Sequence, residues 1–306
     1  MRKILDNGLR SIIDYAGYFP PAQLPLDKAL EEFLHFDNVK GHLCSKFVVP
    51  VHELNSLSRL LENRNLGSPV ALSIIGAGGE SIEHWEQKLE HDAQLLTKFE
   101  KECQNAEILA YETRVPSSNH LEQCVHDLQG FEEIELFLEI PWREAHREQG
   151  FIEAIETAAD LQDKYDFALK ARTGGVHHSA YPELENLAEW IHRSAQLEVP
   201  YKFTAGMHEP ISHFFGSENS TLAYGFMNVL FAVALCLKED LLVDELRPII
   251  GDCDQESFHF NGDIWKYHRF ELNSDDLADA RTLFVSFGSC SIDEPLAGLR
   301  QFGLEF

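Results

Sequence analysis

Two lysines stand inside short apolar runs, Lys170 in FALKARTGG and Lys202 in PYKFTAG, each just ahead of small, turn-forming residues. An amine near the end of an interior strand is costly unless it is paired or used, and burial beside a second cation pushes it toward the neutral form. A neutral amine is a nucleophile. Added to a carbonyl it gives a Schiff base, whose cationic nitrogen withdraws electrons and permits cleavage of a nearby carbon–carbon bond. The alternative is that the amines pair with Glu112 or Glu139, or grip an anionic substrate, without covalent chemistry. Spacing leaves both open.

Other residues that could act with them are scattered through the chain: Asp14, His52, Glu112, Arg114, Glu139, Arg143, Arg172, Thr204, His208, Ser286, Ser289 and Cys290. Arg143 or Arg172 could hold an anionic group. His177, His178, His208 and His213 near carboxylates offer a metal-assisted reading, but no H-E-x-x-H occurs and the spacing between His208 and His213 misses the i, i+4 pair. Hydrogen-bonding histidines are the plainer account, and neither metal nor cofactor is expected. Cys290 is read either as a nucleophile activated by a helix N-terminus or as a small buried thiol. Ser289, Ser291 and the amides around Gly288 could cradle an anion, with Asp293 and Glu294 weakening that grip.

Bringing such distant residues together requires a scaffold, and the chain alternates strand-like runs with amphipathic ones. Eight runs read as strands: 11–14, 46–51, 70–75, 107–112, 134–140, 167–170, 201–204 and 283–287. Intervening stretches such as LDKALEEFLHF and PELENLAEWIHRSAQL repeat apolar residues three or four apart. Pro182 suits the first turn of its helix, and Ser291 with Glu294 has capping-box spacing. This predicts an α/β fold, a (β/α)8 TIM barrel over 1–306, with those polar residues at the carboxyl ends of its strands. One connection, 205–281, is far longer than a helix. It is read as a helix over 222–237, a second over 240–249 and a hairpin around Asn261 and Gly262, serving as a lid or an oligomerisation element. A doubly wound sheet is the rival, but the first strand leads into DYAGYFPPAQLP, without the dinucleotide fingerprint. The glycines at 76, 78 and 79 lack that spacing too and read as a turn.

The chain carries 51 acidic against 25 basic residues, a formal charge of −26, which disfavours phosphate backbones and anionic lipid as partners. With 44% hydrophobic residues it can fill a core. The opening MRKILDNGLRSIID lacks an apolar signal region, and six scattered cysteines argue for reduced thiols, so a cytoplasmic location is expected. The expected partner is a small-molecule substrate, and a homo-oligomer is compatible with the sequence.

Three pentapeptides add a resemblance. Lys170-Ala171-Arg172-Thr173-Gly174 resembles the K-x-x-T-G motif on strand six of deoxyribose-phosphate-type class I aldolases, where the lysine forms the Schiff base. Lys202-Phe203-Thr204-Ala205-Gly206 is similar to their strand-seven lysine motif, and Phe287-Gly288-Ser289-Cys290-Ser291 to their phosphate-binding turn. The resemblance implies Lys170 as the Schiff-base amine, Lys202 as its electrostatic partner and Glu112 in proton transfer. Asp14, Glu139, Arg143, Arg172, Thr173, Thr204, His208, Ser289 and Ser291 complete the expected substrate-binding set. The expectation is a Schiff-base-forming lyase acting on a small anionic carbonyl compound, with a metal-assisted hydrolase or isomerase and a non-catalytic binding barrel as alternatives.

Overall fold

In the computed structural model the described residues are 2–40, 43–76, 78–131, 133–143, 150–216 and 220–305. The chain opens with helix α1 (Arg2–Leu9), strand β1 (Ile13–Tyr15), α2 (Leu26–Lys40), β2 (Cys44–Pro50), α3 (Leu54–Leu61) and β3 (Val70–Ile75). It continues through α4 (Ile82–Glu102), β4 (Ala106–Arg114), α5 (Leu121–Asp127), β5 (Glu135–Glu139), α6 (Gly150–Leu161), β6 (Ala168–Arg172), α7 (Leu184–Leu197) and β7 (Tyr201–Thr204). The long connection then holds β8 (His213–Phe215), β9 (Thr221–Ala223), α8 (Phe226–Glu239), α9 (Val243–Ile250), β10 (Phe258–Asn261), β11 (Ile264–Tyr267), β12 (Phe270–Leu272) and α10 (Ser274–Leu283). β13 (Phe284–Ser289) and α11 (Asp293–Gln301) end it.

Strands β1 to β7 and β13 form a closed parallel barrel in the order β1-β13-β7-β6-β5-β4-β3-β2, the (β/α)8 architecture that the alternation predicts. The boundaries shift by a few residues for local reasons. Ser11 has φ 53°, a left-handed conformation that no strand passes through, so β1 begins at Ile13. At the other end Leu283 closes α10, so the last barrel strand starts at Phe284 and runs on to Ser289.

Alternation along each strand sends one set of side chains into the helix layer and the other into the barrel. The helix-facing set joins one large core that includes Phe47, Tyr111, Trp190, Phe203 and Phe287. Inside the barrel, Ala110, Phe137 and Ala168 make a small separate cluster with Val285 against it. Above that apolar floor the interior becomes polar.

Within the long connection, the apolar run begins its helix at Phe226 rather than at 222, because Thr221–Ala223 pair antiparallel with His213–Phe215 as a hairpin. Asn228 is the polar residue in the buried run Phe226–Cys236 of α8, and it is fully satisfied: Oδ1 accepts from the Ser212 amide, while Nδ2 donates to the carbonyls of Ile249 and Asp252. It thereby ties Ser212 and the carboxyl end of α9 to α8, and α9 packs on α7 and α8. The β10–β11 hairpin turns at Asn261 and Gly262, as predicted, with Gly262 at φ 61°. Phe258, Phe260 and Trp265 of this sheet close over Phe231 of α8. Among the described residues no helix is long and apolar enough to cross a membrane.

Candidate active site

Five strands deliver a charged side chain each to the barrel interior above the Phe137 floor. Glu139 lies opposite Lys170 in the β5–β6 register, and Lys170 lies opposite Lys202 in the β6–β7 register. Glu112 enters from β4 and Asp14 from β1, on the far side of the barrel from β5. All five are buried. Lys170 Nζ is 2.8 Å from Glu112 Oε2 and 3.0 Å from Glu139 Oε2. Lys202 Nζ is 2.6 Å from Glu112 Oε1 and 2.5 Å from Asp14 Oδ2. A single carboxylate therefore bridges the two amines, one oxygen to each. Ser73 Oγ donates to Glu112 Oε1 at 2.5 Å and Ser286 Oγ to Asp14 Oδ2 at 2.8 Å.

These contacts reverse one expectation from the sequence. Burial alone pulls Lys170 toward the neutral amine, as does Lys202, but Glu112 and Glu139 outweigh them and its pKa lies above the ordinary lysine value. Burial acts likewise on Lys202 and is overcome by Asp14 and Glu112, which hold it charged. Conversely, burial would raise Glu112, yet Lys170 and Lys202 bring it well below the usual carboxylate range; burial likewise opposes the charged form of Asp14, and Lys202 and Lys46 outweigh it and lower its pKa. The resting site is a set of matched charges, and the pairing that spacing left open is realised: Lys170 meets both Glu112 and Glu139.

A cavity of about 260 Å³ opens above this set, lined by Glu112, Glu139, Lys170, Lys202, Arg172, Thr204, His208 and Cys290 together with Phe19 and Val176. Of the predicted substrate-binding residues, Glu139, Arg172, Thr204 and His208 thus share its wall, and Asp14 reaches it through Lys202. Arg143 does not line it. Its guanidinium pairs with Glu183 at the rim of a neighbouring cleft. Thr173 is buried away from the cavity, its hydroxyl donating to the Ala205 carbonyl at 2.6 Å and so tying the β6 and β7 loops together. Ser289 is likewise turned inward, donating to the Ser291 carbonyl. Ser291 Oγ accepts from the Glu294 amide at 3.2 Å, the first half of a cap, while the Glu294 carboxylate turns to His208 Nδ1 at 3.1 Å. Pro182 stands two residues ahead of α7 rather than in its first turn.

Cys290 is the buried thiol of the two sequence readings. Its Sγ lies 3.9 Å from the His208 ring, and burial raises its pKa rather than lowering it. Burial also lowers the His208 pKa, against the pull of Glu294. Among the described residues no three His, Cys, Asp or Glu side chains gather as a metal ion would require.

Sequence reasoning missed Lys46. It stands in the apolar strand CSKFVVP, the same signal that marked Lys170 and Lys202. Its amine is 2.8 Å from Glu135 Oε2 and 3.8 Å from Asp14 Oδ1, an oxygen without a hydrogen-bond partner among the described residues. The Phe137 ring lies beneath both Lys202 and Lys46, 4.8 and 5.8 Å from the amines. The charges therefore alternate in a line, Glu135, Lys46, Asp14, Lys202, Glu112, Lys170, Glu139, through the barrel interior.

No protein-family model matches the chain, and no curated protein matches it.

Proposed function

We propose that the chain is a Schiff-base-forming lyase, with Lys170 as the amine that adds to a small carbonyl compound and Lys202 as its electrostatic partner. The observation that carries this is the double hold on Lys170: two carboxylates within 3.0 Å of an amine that lines a cavity, with a second amine across the shared Glu112. The order of the three aldolase-like motifs along the chain supports the same reading.

The chemistry follows from the charges. Lys170 is held protonated, so its proton must pass to Glu139 or Glu112 before nitrogen can attack. The carbinolamine then loses water as the protonated carboxyl returns its proton to the departing hydroxyl. The resulting iminium carries the charge of the ammonium it replaces, so the network stays matched throughout. Bond cleavage moves an electron pair from the carbon–carbon bond onto the iminium carbon–nitrogen unit. The substrate hydroxyl proton goes to a carboxylate and an aldehyde leaves. That carboxylate then protonates the enamine carbon, and water releases the product from Lys170. Lys202 keeps Glu112 ionised between these steps.

Borohydride reduction in the presence of acetaldehyde or glycolaldehyde tests the proposal. Peptide mapping is expected to find the adduct mass on Lys170 and none there in Lys170→Ala. Modification confined to surface lysines in the wild-type protein would return the cavity to the non-catalytic binding alternative.

A further inference from the structure

Beside the lysine cavity lies a second cleft, of about 250 Å³, walled by Arg114, Trp142, Arg143, Arg172, Tyr181 and Asn186, and joined to the cavity through Glu139 and Arg172, which line both. We propose that this cleft is an anion subsite in which Arg114 and Arg172 bind the carboxylate of an oxo acid whose carbonyl carbon lies over Lys170. The carbonyl part rests on the Schiff-base reading; the anion part rests on the guanidiniums alone.

Their placement follows from strand geometry. Arg114 is two residues beyond Glu112 on β4, and Arg172 two beyond Lys170 on β6, so each emerges on the same barrel face as the charged residue below it, one layer nearer the mouth. Arg114 pairs in register with Glu139, the residue on the strand between them. Both arginines are exposed, and neither makes a side-chain hydrogen bond or ion pair among the described residues. Arg143 is already neutralised by Glu183, which leaves the forks of Arg114 and Arg172 without an ion pair among the described residues. In a chain with 51 acidic against 25 basic residues, a cleft lined among the described residues by three arginines and one carboxylate, Glu139, is a local reversal of charge. Glu139 is itself committed to Lys170.

On the other side of the mouth the sign is opposite. The hollow there is lined by Glu209, Glu294, His208 and His213, and burial raises the Glu209 pKa. An anionic group is repelled from the Ser291 end and drawn to the arginine end, which orients the substrate. The buried acids Asp14, Glu112 and Glu139 already answer the amines of Lys46, Lys170 and Lys202, so the two guanidiniums are left to attract an anion. The planar guanidinium fork also matches the two oxygens of a carboxylate.

The test has two arms, and its double variant replaces two exposed side chains that make no hydrogen bond or ion pair among the described residues. Calorimetric titration with propionate and, separately, with inorganic phosphate measures the subsite without covalent chemistry. Propionate is expected to bind the wild-type protein more tightly than phosphate does, and to bind at least ten-fold more weakly in Arg114→Gln/Arg172→Gln. Equal propionate affinity in wild type and double variant, or tighter phosphate binding, overturns the proposal. In the second arm, borohydride trapping compares 4-oxobutanoate with butanal. The oxo acid is expected to label Lys170 at a concentration at least ten-fold lower than butanal, an advantage that disappears in the double variant; equal labelling by both overturns the proposal. Propionate binding that depends on the arginines, with no labelling of Lys170 by either aldehyde, upholds the subsite while removing the lyase reading.

Discussion

Lys170 and Lys202 face each other across the β6–β7 register and take opposite oxygens of one buried carboxylate, Glu112. Each amine thus sets how tightly the other keeps its proton, through a group that both share.

Replacing Lys202 makes that coupling visible. Lys202→Met removes a cation that disfavours the charged form of Lys170 and leaves Glu112 entirely to it. The pH at which Lys170 becomes reactive should rise, so that borohydride labelling slows at neutral pH and recovers under alkaline conditions. The same change strips a counter-charge from Asp14, whose other neighbours are Ser286 and the more distant Lys46. A loss of stability of about 3–5 kcal/mol by urea unfolding is the expected cost of breaking a buried pair from one side. An unshifted pH profile would separate Lys202 from the reactivity of Lys170.

The network also shapes stability against pH. Glu112 and Asp14 have folded-state pKa values below their ordinary 4.5 and 3.8, so their contribution is complete above those values and fades as pH falls through the depressed ones. Lys170 and Lys202 lie above the ordinary 10.5, so theirs is complete below it and fades as pH rises through the elevated values. The urea midpoint should therefore lose the network's contribution only outside about pH 5 to 10. In Glu112→Gln the plateau should drop and the acid limb become shallower. An acid limb as steep as that of wild type would place the titrating carboxylates elsewhere.

Backbone geometry at the mouth gives a third expectation. Gly206 has φ +83°, and a Cβ there would meet Gly174 Cα and the Thr173 carbonyl oxygen, each at 2.8 Å. Gly206→Ala should cost about 1–3 kcal/mol of stability. Because Thr173 follows Arg172 directly and bonds the β7 end through the Thr204 carbonyl, the displacement reaches the cavity wall. Labelling of Lys170 should fall about ten- to hundred-fold, as small misplacements of a reacting group do. Circular dichroism at the assay temperature checks that the protein remains folded.

The barrel was legible because its strands are apolar runs separated by periodic helices, a pattern carried within each segment. The lysines were legible because an amine in an apolar strand contradicts its surroundings. Their charge state was not, since it depends on Glu112, Glu139 and Asp14, which reach them from β4, β5 and β1. Lys46 carried the same signal on β2, but lies near the amino end of its strand, and a search confined to carboxyl ends passes over it. The β8–β9 hairpin escaped because HFF and TLA are three-residue strands beside a long apolar run that captures the pattern. Thr173 and Ser289 show the opposite failure: their residue types suit a ligand, yet their hydroxyls are taken up by the nearby Ala205 and Ser291 carbonyls, partners that spacing does not reveal.

The line of alternating charges has a bearing on how the barrel can come apart. Lys202, on the seventh stave, finds both of its carboxylates on the first and fourth, and Lys46, on the second, finds its closer one on the fifth. A half-barrel cut between β4 and β5 would strand amines on each side from the acids that answer them. The charges act as rivets across the diameter, so neither half is a self-sufficient unit and the ring closes as a whole.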